Sequence, residues 1–137
     1  MSLTLTDQDK LTLRTAAYGA VSLLAAADAT GSPHKVATDG SIALASATGQ
    51  VGHVLAEKSK VGNVDGKSVA EIADQVLPAL TAAMSLLKLQ DPAEADNFRS
   101  TVTVAIEAAT RAHKGEPGPT MAAMTRKITG ALALDAV

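Results

Sequence analysis

The hydrophobic content of this chain is built from alanine. Of its 137 residues 28 are alanine, against one phenylalanine (Phe98), one tyrosine (Tyr18) and no tryptophan. Alanine is the strongest helix former, and the residues that favour strands are comparatively sparse, so the composition points to an all-α fold. Alanine also buries little area. A core made of it gains stability from close backbone approach and many contacts rather than from a few large anchors.

Helix punctuation divides the chain into about five helices, or six if the second breaks. Thr6 with Asp9 three residues on opens a first helix that runs to about Asp28, with Leu13, Ala17, Ala20, Leu24 and Ala27 on one stripe and Leu11, Tyr18, Val21 and Ala25 on another. Ser32 and Pro33 start a second segment reaching about Glu57. Its Gly40, Gly49 and Gly52 each lower helix propensity by about 1 kcal/mol, which leaves open a continuous helix and one kinked or broken near Gly49. Lys58 to Lys67 reads as a loop, after which Ser68 and Glu71 spell a capping box. The helix that follows holds Val69, Ala73, Val76, Leu80, Ala83 and Leu87 at helical spacing and is expected to kink at Pro78. Asp91-Pro92-Ala93-Glu94 is the firmest start, opening an amphipathic helix with Phe98, Val102, Ala105, Ala109 and Ala112 inward. Thr120 is placed to cap a last helix with Met121, Met124, Ile128 and Leu132 inside. Short connections between such helices imply mostly antiparallel neighbours in a bundle, and the length suits a single domain over residues 1–137.

Charge narrows the function classes. A formal net charge of −2 gives no broad field to attract nucleic-acid phosphates or an anionic membrane, so neither partner is expected. The absence of cysteine removes disulfides and thiolate metal sites, and suits a reducing compartment, with the cytoplasm as the simplest location. Asp7 and Asp9 precede any apolar run, unlike the basic start of a secretion signal.

Two segments carry no charged face: Thr15 to Ala27 and Gly40 to Val54. Both are shorter than the roughly 20 residues that span a bilayer. In a small monomer one helix can readily be surrounded by the others. A second uncharged one calls for a partner chain, so a homodimer through these two faces is the expectation.

No motif for chemistry holds together. Gly62 to Ser68 resembles a phosphate-binding loop but is one residue short between its glycines and lacks a preceding strand. What it retains is a weak anion contact through Lys60, Lys67 and Ser68 beside a helix N-terminus, with Lys58 close by. His53 and Glu57, joined by His34, could face one metal but lack the spacing of zinc or di-iron sites, so no metal and no cofactor is expected. His113 has the position of a helix-end cation. The resulting expectation is a non-enzymatic helical protein that acts by self-association or by binding another protein. The alternative is a small-ligand carrier or sensor with an apolar pocket between helices lined by Ala, Leu, Met and Tyr18.

Overall fold

The computed structural model describes residues 4–28, 33–56, 68–112 and 118–133. Six helices run through them: α1 (Asp7–Ala27), α2 (Pro33–Ala45), α3 (Gly49–Ala56), α4 (Val69–Gln90), α5 (Pro92–Ala112) and α6 (Pro119–Ala133). No strand occurs among the described residues, and the fold is an all-α bundle.

Local chemistry sets the helix starts. Thr6 Oγ1 accepts from the Asp9 N–H at 3.0 Å, and the Asp9 carboxylate accepts from the Thr6 N–H at 3.1 Å, which satisfies two otherwise orphaned donors reciprocally. Ser68 Oγ accepts from the Glu71 N–H at 3.2 Å, and Asp91 Oδ1 from the Ala93 N–H at 3.1 Å beside Pro92. At α6 the start differs from the sequence expectation. Thr120 is not the cap: the helix begins at Pro119, and the Gly118 carbonyl already accepts from the Ala122 N–H at 3.0 Å. Proline at the first position, with φ preset and no N–H to satisfy, starts the helix earlier than the hydroxyl would.

The second segment does break. α2 stops at Ala45, and α3 begins at Gly49, whose φ of 78° lies in the left-handed region where a side chain would be strained. Gly52 then lets α3 turn back so closely that a Cβ there would collide with the Ala47 carbonyl.

α1 is the axis of the bundle and touches each of the other five helices. Leu13, Ala16, Ala17, Ala20, Leu23 and Leu24 are wholly buried along it. Two glycines set the spacing around it. A Cβ on Gly19 of α1 would lie 2.7 Å from a methyl of Val76 on α4, and a Cβ on Gly40 of α2 would lie 2.7 Å and 2.9 Å from the two methyls of Val21 on α1. Gly19 and Val21 are about 200° apart around the helix. Accordingly α2 and α4 lie on opposite sides of α1 and do not touch each other. α5 closes the bundle by packing along α2 and against α4, and α6 covers α4 and α1. Phe98, Met84, Leu80 and Met121, all fully buried, fill the larger spaces between the small residues.

Candidate functional site

Residues with metal-binding or anion-binding chemistry do not converge where the structure describes them. His53 is exposed on α3, and no group of three or more His, Cys, Asp or Glu side chains able to hold a metal ion occurs among the described residues. Lys58, Lys60, Lys67, Glu57 and His113, together with the side chain of His34, lie outside the described residues. Ser68 is described, exposed, and employed as the N-cap of α4. The arrangement its hydroxyl serves is therefore a helix start.

The polar groups that do converge build a clamp around α3. From α5, Glu94 Oε1 accepts from the Val51 N–H at 2.9 Å, and Asn97 Nδ2 donates to the Thr48 carbonyl at 2.8 Å. The carboxylate thus sits at the positive end of α3 and answers one of its unpaired amides. At the other end the Tyr18 hydroxyl on α1 donates to the Leu55 carbonyl at 2.8 Å. Burial pushes the Tyr18 phenol above its ordinary pKa. Each neutral hydrogen bond of this kind contributes about 1 kcal/mol net, and a bond to a carboxylate somewhat more. Sequence reasoning placed Glu94 only in the first turn of its own helix and did not single out Asn97. Nothing local signals that their partners are 43 and 49 residues away.

The uncharged segments divide into two kinds. Thr15 to Ala27 is the covered axis, leaving only Ser22 and Ala26 exposed, so these residues are occupied by their own chain. Gly40 to Val54 runs across the α2 to α3 break, with Gly40, Leu44, Val51, Gly52 and Val54 buried while Ile42, Ala45, Ser46 and Thr48 face outward.

That outward side of α2 lies along α5. Two adjoining depressions share Ala43. One is bounded by Lys35, Asp39, Ile42, Ala108 and Arg111, the other by Ser46, Thr48, Asn97, Ser100 and Val104. These contacts fix α2 and α5 as antiparallel, with Ala43 level with the stretch from Val104 to Ala108. Ile42 and Val104, 60% and 52% exposed, are two of the three large apolar side chains that stand out among the described residues. Both depressions are open furrows between helices rather than enclosed cavities, and small side chains form their floor. The third exposed apolar residue, Leu89 at 87%, stands at the end of α4. α4 is also long and apolar enough by length and composition to cross a membrane, yet its Ile72, Val76, Leu80, Met84 and Leu87 are buried in the bundle.

Searches against protein-family models, curated proteins and solved structures found no match for this chain.

Proposed function

We propose that this protein is a non-enzymatic interaction protein that self-associates through the face formed by α2 and α5. The observation that carries the reading is that Ile42 and Val104, each more than half exposed, border two adjoining depressions of the same α2 to α5 seam. Single exposed aliphatics are ordinary, whereas two β-branched ones bordering adjoining depressions that share Ala43 make a patch that association would cover. The small floor residues let an opposing helix approach closely, as Gly40 and Gly19 do inside the monomer. A chain without cysteine suits work in the cytoplasm.

The magnitude of the effect is modest. Burying the exposed halves of four such side chains in a symmetric pair gives roughly 4 kcal/mol, and the cost of bringing two molecules together is of at least similar size. The two aliphatic pairs alone thus only offset that cost, and the remainder of the α2 to α5 face has to contribute the roughly 4 kcal/mol net that association near 1 mM requires. Sedimentation equilibrium from about 1 μM to about 1 mM tests it. The expected result is a mass rising from 13.8 kDa towards twice that value, abolished by Ile42→Glu or Val104→Glu with the circular dichroism spectrum unchanged. A mass that stays at 13.8 kDa throughout would refute the reading.

A further inference from the structure

α3 is fastened to the bundle at its two ends more than it is built into the core. Its eight residues span about 12 Å, a little over two turns, and a helix that short does not persist in water on its own. Only Val51, Val54 and Leu55 among them bury a side chain, whereas α1, α4 and α5 each bury seven or more residues. The fastenings come from two different helices. From α5, Glu94 accepts from the Val51 N–H and Asn97 donates to the Thr48 carbonyl. Both side chains close on Gly49, where an added Cβ would lie 2.9 Å from Asn97 Nδ2 and 3.1 Å from Glu94 Oε2. From α1, the Tyr18 hydroxyl holds the Leu55 carbonyl at the far end.

The neighbouring helices are seated by residues outside α3. α2 ends on its own bonds, with the Ser46 N–H donating to the Ile42 carbonyl at 3.1 Å and the Ala47 N–H to the Leu44 carbonyl at 3.2 Å, so its last turn stays satisfied whether or not α3 follows. Gly40 seats α2 on Val21, and Gly19 seats α1 on Val76. Between α2 and α3 the backbone link is the Gly52 N–H donating to the Thr48 carbonyl at 3.2 Å, and Gly49 supplies a left-handed position immediately after Thr48. Hinges of moving segments are a few such positions at the end of an element, which absorb the change in φ and ψ.

Independently of the self-association proposed above, we infer that α3 is a strap that leaves α1 and α5 as one unit, pivoting at Thr48 and Gly49, while the other five helices stay packed. Release bares Val51, Val54 and Leu55 together with the strip of α1 and α5 that they cover. Native-state hydrogen exchange of the full chain in low urea tests it. The α3 amides are expected to share one opening, at least about tenfold less protected than the slowest amides of α1 and α4, and with a shallower urea dependence because less surface is exposed than in global unfolding. Two variants at opposite ends read whether the unit is one. Asn97→Ala is expected to speed the Leu55 and Ala56 amides at the far end by about fivefold, as much as those of Val51 and Gly52 beside it, and Tyr18→Phe to speed Val51 and Gly52 likewise. α3 amides with the protection and urea slope of α1 would overturn the strap, because the helix would then open only with the whole bundle. Acceleration confined to the end nearer each substitution would overturn it too, since α3 would then fray rather than release as a unit.

Discussion

Alanine substituted at two glycines should shift stability in opposite directions, for a reason that the packing makes explicit. In a helix interior, Gly→Ala alone stabilises by about 1 kcal/mol, because the unfolded chain loses freedom and the helix gains a better former. At Gly130 of α6 nothing lies within 4 Å of the added Cβ, so the whole gain should appear. At Gly40 the same Cβ would stand 2.7 Å from one methyl of Val21, which is 0.7 Å short of the 3.4 Å where ordinary contact begins, and 2.9 Å from the other. Val21 is only 2% exposed, and a valine in a helix has one strongly preferred rotamer, so rotation offers little relief. α2 must instead move off α1. Overpacking of this kind costs about 1–3 kcal/mol, which outweighs the propensity gain and leaves a net loss of about 1 kcal/mol. Thermal unfolding followed by circular dichroism should show Gly130→Ala raising the midpoint and Gly40→Ala lowering it, each by about 3–5 °C for a chain of this size. A Gly40→Ala protein that melts higher than wild type would mean that α2 does not rest on Val21 as described.

Gly49→Ala should cost about 1–2 kcal/mol in urea unfolding, because it adds left-handed strain and a Cβ 2.9 Å from Asn97 Nδ2. A neutral Gly49→Ala would remove the argument for a break at that residue. Tyr18→Phe should cost about 1 kcal/mol at neutral pH through loss of the bond to Leu55. It should also alter the alkaline limb: the Tyr18 pKa is raised above 10.0 by burial, so its contribution is complete below that pH and is lost as pH climbs through the higher folded value. Wild-type and Tyr18→Phe stabilities should therefore converge above pH 10, and parallel curves would contradict the assignment. Asn97→Ala should speed amide exchange in α3 more than in α1, measured by hydrogen exchange, since it frees the Thr48 carbonyl without touching the axis.

Local punctuation was the most legible part of the fold. Thr6 with Asp9, Ser68 with Glu71 and Asp91 with Pro92 each act within a few residues, so the pattern that marks a helix start is the same pattern that makes its hydrogen bonds. The break before Gly49 was only half legible, since three glycines in one segment left a continuous helix and a broken one both open. Pairings between helices were less so. The fit of Gly40 on Val21 and the capping of α3 by Glu94 depend on which helices become neighbours, and neither residue type announces its partner. The same limit applies to the candidate site. An uncharged run in the sequence does not distinguish α1, which its own chain covers, from α2, whose Ile42 faces outward. Val104 belonged to no stripe in the periodicity, and its place in one depression with Ala43 and Ser46 follows only from α5 lying antiparallel beside α2.

The central claim is that the face carrying Ile42 and Val104 pairs with a second copy of itself. Sedimentation equilibrium on wild type and Val104→Glu, compared over the same concentrations, tests it most directly. The account predicts that the wild-type mass rises towards twice 13.8 kDa while the variant remains at 13.8 kDa with an unchanged helical spectrum. Two identical mass profiles, whether both monomeric or both dimeric, would contradict it.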